Sequence, residues 1–281
     1  MSITMPTFTP AQESLFLTLG SRALDSRLPD PFLGDTMADQ ILRETGYDLA
    51  KFPTLTTQRF DARTKVFAVA LRAKRLDEIA SRFVGRHPDA VVMDLGVGLD
   101  SRILRVNPPS TVSWCDVDFP QIVDLRHQLL PAQVSAHSIG ADLTDPNWLD
   151  EIPADRPAVI VADGLIAFLR QDDFVSLLHR LTNHFPSGEI AFNLYTTGAI
   201  WTAKHLRSLA AISAGLVNPG FNDPSRPERW VAGLKLAGEI FLTRAPEVAE
   251  LPLATRLILR LAASSARASR MIGTTLVHYE F

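Results

Sequence analysis

The sequence predicts an α/β fold in which a mostly parallel β-sheet follows an N-terminal helical region. From residue 90 onward, short apolar runs alternate with amphipathic segments of helical periodicity. This alternation is typical of parallel strands joined by right-handed helical crossovers. Residues 1–85 show only helical periodicity. Two late apolar segments flank a further helical stretch, and they predict an antiparallel pair at one edge of the sheet.

The elements follow one another in a simple order along the chain. Helical patterns are predicted over residues 11–22, 35–45 and 61–83, and Pro29 and Pro31 separate the first from the second. Buried strands are predicted where apolar residues run together or alternate. These runs cover residues 90–95, 112–117, 134–139, 158–162 and 189–195, and the two late strands cover 236–243 and 274–281.

The length of 281 residues allows one large α/β domain or two small ones. We expect residues 1–85 to form a helical cap that is part of the same domain. Residues 86–281 would form the core, with a helical insertion near 199–235.

Composition excludes several classes of protein. The net charge of −3 and the scattered basic residues do not indicate a nucleic-acid partner. No apolar window is long enough for a membrane span, and the N-terminus shows no signal-peptide pattern. The single cysteine, Cys115, fits a reducing, cytoplasmic compartment. The seven histidines show no metal-ligand spacing, so no metal site is predicted.

A glycine turn follows the first predicted strand. In the run DLGVGLDS, residues 94–101, Gly96 and Gly98 permit a tight strand-to-helix turn and close approach of a ligand to the backbone. Ser101 stands where a dinucleotide fingerprint has its third glycine, which disfavours NAD or FAD. The turn suits a ligand that carries an adenosine but no phosphate.

Carboxylates follow the next three strands. Asp118 lies twenty residues after Gly98, where a carboxylate can accept hydrogen bonds from both ribose hydroxyls. Asp142 comes after the third strand, where it can bind an adenine amine, and Asp163 comes after the fourth. In an open parallel sheet these strand ends border the ligand crevice. Each acid has a plain alternative as a helix cap or turn residue, and Asp116 competes with Asp118 for the ribose.

Taken in order, these segments resemble the leucine carboxyl methyltransferase family and its bacterial branch that methylates polyketide carboxyl groups. The matching segments are SRALDSR at 21–27, DART at 61–64, DLGVGLDS at 94–101, DVDFP at 116–120, Asp142-Leu143 and DGL at 163–165. The tail at 222–230 resembles the bacterial branch. The resemblance covers nearly the whole chain, and it implies a Rossmann-like class I methyltransferase fold that binds S-adenosylmethionine.

The resemblance also implies roles for individual residues toward the cofactor. Arg63 would pair with the methionine carboxylate, and Gly96 would lie against the same amino acid. Asp118 would hold the ribose. The remaining implied cofactor contacts are Asp142 and Leu143 at the adenine, Asp163 at the amino group in place of a family glutamate, and Arg22 as an additional contact at the carboxylate.

We therefore predict an S-adenosylmethionine-dependent O-methyltransferase whose partner is a small-molecule acceptor, with a polyketide-like carboxylate favoured. A carboxylate is already ionised at neutral pH and needs no catalytic base. No catalytic residue is assigned from the sequence. The alternatives are methylation of a phenol or other hydroxyl, an NAD(P)-dependent oxidoreductase, and a non-catalytic regulator that binds the cofactor. Aromatic candidates for the acceptor pocket are Phe8, Phe16, Tyr195, Trp201 and Trp230.

Overall fold

The computed structural model describes residues 6–131, 136–272 and 275–281. Two predicted strands therefore lie partly outside the described residues, at 134–135 and at 274. The strands are β1 Val91–Leu95, β2 Ser113–Asp118, β3 His137–Gly140, β4 Ala158–Ala162, β5 Gly188–Leu194, β6 Lys235–Phe241 and β7 Thr275–Glu280. The helices are α1 Pro10–Ser26, α2 Thr36–Thr45, α3 Pro53–Thr56, α4 Ala62–Arg86, α5 Arg102–Val106, α6 Pro120–Leu129, α7 Gln171–His184, α8 Thr197–His205, α9 Ala210–Ser213, α10 Arg226–Trp230, α11 Leu253–Ala263 and α12 Ala266–Met271.

The seven strands form one sheet in the order β3-β2-β1-β4-β5-β7-β6. The first five are parallel, and β7 runs antiparallel to both β5 and β6. The predicted α/β class, with a mostly parallel sheet and an antiparallel edge pair, is confirmed. The strand order reverses beside β1, where an open sheet forms its ligand crevice.

Alternate residues of the central strands pack on opposite faces of the sheet. Met93 and Ile160 face a core that includes Phe174 and Leu177 of α7. On the other face, core residues of the same strands pack against α4, whose buried side chains there are Leu76, Ile79 and Phe83. Both faces of the sheet are therefore covered, as the continuous apolar strands require.

Local signals set the ends of the N-terminal helices. Thr9 and Gln12 form a capping box at the start of α1. Asp35 caps α2, which ends at Gly46 in the left-handed conformation. Asp61 caps α4 by accepting a hydrogen bond from the Thr64 amide at 3.1 Å. The three predicted N-terminal helices are present, and α1 and α4 run a few residues beyond their predicted ends.

Cys115 lies on β2 with no solvent exposure. Burial raises the pKa of its thiol to about 11, so the side chain serves as a small core residue. None of the helices within the described ranges combines the length and the apolar character needed to cross a bilayer.

Candidate functional site

A cavity of about 270 Å³ lies over the carboxyl ends of the parallel strands. One part is polar, and its lining includes Asp94, Asp118 and Asp163 at the strand ends. The other part is apolar, and helices α1, α8 and α9 contribute to it. Its lining there includes Leu15, Leu17, Ile200, Ala203, Leu209 and Ile212. The cavity can therefore hold a polar ligand against the sheet and an apolar one beneath the helices.

The turn after β1 takes the form that the sequence predicts. Gly96 and Gly98 have φ angles of 61° and 53°, in the left-handed region that favours glycine. A Cβ atom on Gly96 would lie 2.9 Å from Cδ1 of Leu165. Both glycines line the cavity, so the turn leaves room for a ligand to approach the backbone.

Asp118 at the end of β2 faces this turn. Its Oδ2 accepts a hydrogen bond from the Gly98 amide at 2.7 Å, and its Oδ1 accepts one from the Phe119 amide at 2.7 Å. Burial raises the pKa of Asp118, while these two hydrogen bonds oppose the shift. Each oxygen keeps a further lone pair for a ligand hydroxyl. The structure thus brings Asp118 and Gly96 together at one cavity, as the predicted roles require.

Asp142 and Leu143 lie next to this cavity but not in its lining. Asp142 accepts hydrogen bonds from the Thr144 amide at 2.9 Å and from the Thr144 hydroxyl at 2.8 Å. Its side chain therefore stabilises a local turn, which was the alternative to a contact with the adenine. Leu143 is a core residue. The Ala141 amide donates to the Asp118 carbonyl at 2.8 Å, so the backbone before Asp142 lies directly beside the ribose candidate.

An arginine that the sequence analysis did not select stands at the polar end of the cavity. Arg72 of α4 places its Nε 2.7 Å from Oδ1 of Asp163. The contact lacks hydrogen-bond geometry, and neither buried oxygen of Asp163 has a hydrogen-bond partner among the residues described. Burial lowers the pKa of Arg72, but the adjacent Asp163 carboxylate outweighs this effect and holds the pKa above its usual range. A buried carboxylate with unused oxygens beside a guanidinium suits a ligand that carries an ammonium and a carboxylate.

The structure does not bring Arg63 to the cavity, contrary to the role that the resemblance implies. Its Nη1 lies 2.7 Å from Oε2 of Glu250, and its Nη2 donates to the Asp30 carbonyl at 2.7 Å. The guanidinium also lies over the Phe32 ring, 5.0 Å from its centroid. Residues 63 and 72 are separated by about 13 Å along α4. Arg63 therefore joins the start of α4 to neighbouring segments, outside the cavity lining.

Periodicity could have identified Arg72. It shares the face of α4 that carries Leu76, Ile79 and Phe83, at spacings of four, seven and eleven residues. An arginine within an apolar stripe must find a buried partner. Its sequence neighbours Lys74 and Arg75 obscure this signal, because a cluster of basic residues in a helical pattern favours a solvated face.

Arg22 lines the cavity, but all of its guanidinium nitrogens are already bonded. Nε contacts Asp35 at 3.1 Å, Nη1 contacts Asp100 at 3.2 Å, and Nη2 donates to the Leu99 carbonyl at 3.0 Å. These bonds join α1 and the start of α2 to the turn after β1. Arg22 thus supports the site, and its implied direct contact with the cofactor stays a prediction.

The aromatic candidates for the acceptor pocket differ in whether they line the cavity. Tyr195 lines the cavity. Phe8 and Phe16 pack on each other in the N-terminal cluster. Trp230 packs against core aromatic rings, and Trp201 is 64% exposed.

The sheet order, the glycine turn after β1 and the carboxylate at the end of β2 are typical of S-adenosylmethionine-dependent methyltransferases with a Rossmann-like sheet. A candidate methyltransferase from Thermobifida fusca shares the fold, with a TM-score of 0.51 over 92% of this chain and 93% of its own, at 17% identity. The family model of leucine carboxyl methyltransferase matches residues 16–182. The chain belongs to this family.

Two relatives cover most of the chain. The tetracenomycin polyketide synthesis O-methyltransferase TcmP of Streptomyces glaucescens is 39% identical over 242 residues, 86% of this chain and 87% of its own. The S-adenosyl-L-methionine-dependent methyltransferase dpfgK of Gibberella zeae is 32% identical over 252 residues, 84% of each chain. The protein is an S-adenosylmethionine-dependent O-methyltransferase. The oxidoreductase and the non-catalytic regulator are not favoured.

Proposed function

We propose that the protein methylates the carboxylate of a small, largely apolar, polyketide-like molecule and so forms a methyl ester. One observation carries the choice of acceptor. Each carboxylate that lines the polar part of the cavity contacts an arginine or accepts backbone hydrogen bonds, and a carboxylate acceptor, which is already ionised, requires no base from this set. The name of the relative TcmP supports a polyketide-like acceptor. A cytoplasmic location remains a prediction from the composition.

The polar residues fit S-adenosylmethionine, with changes from the predicted set at Arg63 and at the Asp142 side chain. Arg72, in place of Arg63, would bind the methionine carboxylate through its guanidinium fork. The unused oxygens of Asp163 would accept from the amino group. Gly96 would present its backbone to the same amino acid, and Asp118 would hold the ribose. When bound, the cofactor supplies an electrophilic methyl group on a sulfonium.

The adenine would lie toward β3. Asp142 and Leu143 follow that strand, next to the segment that is bonded to Asp118. Because the Asp142 side chain already forms a turn with Thr144, a backbone contact from this segment is the simpler means of binding the base.

The carboxylates of the cavity already have partners. Asp94 lies 2.7 Å from Arg102, and Asp100 lies 2.8 Å from Arg105. Asp118 accepts two backbone hydrogen bonds. No histidine, lysine or cysteine occurs among the lining residues that the described chain provides. An acceptor carboxylate needs no base, and its attack is promoted by orientation and by removal of water.

Apolar side chains of the helices would exclude water from the acceptor. Side chains such as Leu15, Ile200 and Ile212 line the cavity opposite the sheet. They favour an apolar acceptor skeleton and exclude solvent from its charged oxygen. A desolvated carboxylate is a stronger nucleophile than a hydrated one.

A methyl-transfer assay with radiolabelled S-adenosylmethionine tests the proposal. The acceptors are paired aromatic carboxylic acids and phenols of matched size. We expect label to enter the acids and the product to release its label in mild alkali, as an ester does. Asp118→Ala should lose most activity at low cofactor concentration, whereas Asp145→Ala, at an exposed turn, should retain it. Transfer to phenols alone, with an alkali-stable product, would contradict the carboxylate acceptor.

A further inference from the structure

We propose that the hydroxyl of Tyr195 binds the methyl acceptor by donating a hydrogen bond to one oxygen of its carboxylate. The other oxygen is then oriented for attack. This role rests on the proposed function, because it requires an acceptor that arrives ionised. Tyr195 is thereby assigned as a catalytic residue of a site for which the sequence identified none.

Tyr195 is held at the boundary between the two parts of the cavity. It follows β5 directly, and its carbonyl accepts from the Phe221 amide at 2.9 Å. Gly220 packs so closely that a Cβ there would lie 2.5 Å from the same carbonyl oxygen. The ring packs beside Ile200 and Leu216 in the apolar part. Its phenol also lies near enough to Arg72 and Asp163 for their charges to influence its pKa.

The hydroxyl groups of the cavity wall differ in what they already bind. Three residues with hydroxyl groups line the cavity, namely Ser14, Thr18 and Tyr195. Ser14 donates to the Ala11 carbonyl at 2.6 Å, and Thr18 donates to the Leu15 carbonyl at 2.9 Å. Both are therefore committed to their own helix.

Tyr195 differs from these two residues and from the other tyrosines. The hydroxyl of Tyr47 donates to Glu13, and that of Tyr279 donates to the Pro224 carbonyl at 2.6 Å. The Tyr195 hydroxyl has no hydrogen-bond partner within residues 6–131, 136–272 and 275–281, and its oxygen is not sealed in the interior. It is the hydroxyl of the cavity wall that remains available to an acceptor.

The environment makes Tyr195 a donor rather than a base. Burial raises the pKa of its phenol, Arg72 opposes the shift, and Asp163 adds to it. The group therefore keeps its proton at neutral pH. A protonated phenol can bind an ionised oxygen, but it cannot take a proton from an acceptor hydroxyl.

Methyl transfer to an ionised carboxylate then requires no proton transfer. An acceptor oxygen forms a bond to the methyl carbon as the carbon–sulfur bond breaks, and the electron pair stays on sulfur. The products are a neutral ester and a neutral thioether. Tyr195 binds the second oxygen throughout, so the oxygen that attacks carries no hydrogen bond from it.

The test compares Tyr195→Phe with Tyr47→Phe, which removes a hydroxyl outside the cavity. The probes are 2-naphthoic acid and anthraquinone-2-carboxylic acid, assayed by methyl transfer and by calorimetry in the presence of S-adenosylhomocysteine. For Tyr195→Phe we expect about a tenfold loss of probe affinity and a tenfold or greater loss in kcat/KM. Cofactor affinity should stay within about twofold. Tyr47→Phe should match the wild type in transfer.

The pH profile adds a readout that a purely structural role would not change. Between pH 6 and 9, kcat/KM should follow the same pH profile in the wild type and in Tyr195→Phe, because the Tyr195 hydroxyl transfers no proton. A basic limb that disappears in the variant would overturn the donor role.

The remaining outcomes separate this proposal from the proposed function. If the wild type methylates the acids and Tyr195→Phe equals it, Tyr195 has no such role and the proposed function stands. If cofactor affinity falls as much as probe affinity, Tyr195 supports the cofactor instead. If the wild type methylates phenols and not acids, both proposals fail.

Discussion

Arg72 and Arg63 belong to the same helix, yet their environments differ in a way that separates their roles. Arg72 lies against Asp163 in the cavity, with 16% of its side chain exposed. Arg63 contacts Glu250 and Asp30 near the start of α4. A buried guanidinium that meets a ligand carboxylate forms a strong, charge-assisted contact. An ion pair far from the cavity contributes little to ligand binding.

We therefore predict that Arg72→Ala weakens S-adenosylmethionine binding while Arg63→Ala does not. Loss of a charge-assisted hydrogen bond costs about 1.5–3 kcal/mol, so affinity should fall on the order of tenfold to a hundredfold. Calorimetry with the purified variants measures both effects, and circular dichroism checks that each is folded. A loss in Arg63→Ala comparable to that in Arg72→Ala would restore the role that the family resemblance implies for Arg63.

The contrast between Asp118 and Arg63 shows what the sequence can predict about single residues. Asp118 is fixed by local geometry, because it ends a strand whose neighbour ends in the glycine turn. Its position follows once the strands are recognised. Arg63 was placed by motif resemblance alone, and its motif lies in a helix whose rotation about its own axis depends on packing. The register of the buried stripe on α4 decides which arginine faces the cavity.

At the scale of elements, the turn after β1 rests on a buried network of ion pairs. Arg102 of α5 contacts Asp94 of β1 at 2.7 Å and Asp77 of α4 at 2.8 Å. Arg105 contacts Asp35 at 2.8 Å, and Asp35 also contacts Arg22. Burial of each charge is costly, so the pairs must form together. The network fixes how the glycine turn meets α1 and α4.

Asp94 gives this network a predictable pH dependence. Burial raises the pKa of Asp94 to about 8, although Arg102 opposes the shift and Asp100 adds to it. The folded state then binds a proton that the unfolded state releases near pH 4. The stability that comes from this group is full at low pH and is lost as the pH rises toward 8. The free energy of unfolding should fall through this window by about 1 kcal/mol per pH unit.

Asp94→Asn should remove that slope, because an amide does not titrate. Urea unfolding at pH 5.5, 6.5, 7.5 and 8.5 measures it for the wild type, for this variant and for Asp89→Asn, which changes an exposed carboxylate. The wild type and Asp89→Asn should run parallel, and Asp94→Asn should be flatter. Equal slopes in all three would show that Asp94 does not titrate in this range.

Elements with a strong local sequence pattern were predicted more accurately than elements that depend on tertiary contacts. Strands β1 and β4 are fully buried, and all of their residues except Asp94 are apolar, so the sequence alone identified them. The segment after β5 forms only the short helices α8, α9 and α10, and helices of that length depend on tertiary contacts. The helical pattern predicted near 199–235 therefore takes the form of short helices. The place of β7 between β5 and β6 is a non-local pairing that local pattern does not specify.

At the scale of the whole molecule, the N-terminal helices share a core with the rest of the chain. Leu15, Phe16 and Leu19 of α1 cluster with Ile122 and Leu125 of α6. Helix α4 covers one face of the sheet through the cluster that contains Leu76 and Ile79. Contacts of this kind join helices α1 and α4 to the sheet and to α6. We propose that the cap and the core form a single domain.

A single domain predicts one cooperative unfolding transition and a core that cannot fold without its cap. The fragment 86–281 loses α4, which leaves the apolar sheet face of Val92, Val159 and Val161 exposed. It should show no cooperative melting by circular dichroism and no binding of S-adenosylmethionine. In the full chain, slow amides of α1 and of β4 should exchange with free energies within about 1 kcal/mol of each other, because both need global unfolding. If the fragment folds and binds the cofactor, or if α1 exchanges well before the sheet, then the helical region is a separate unit and the cavity that it roofs can open without unfolding the core.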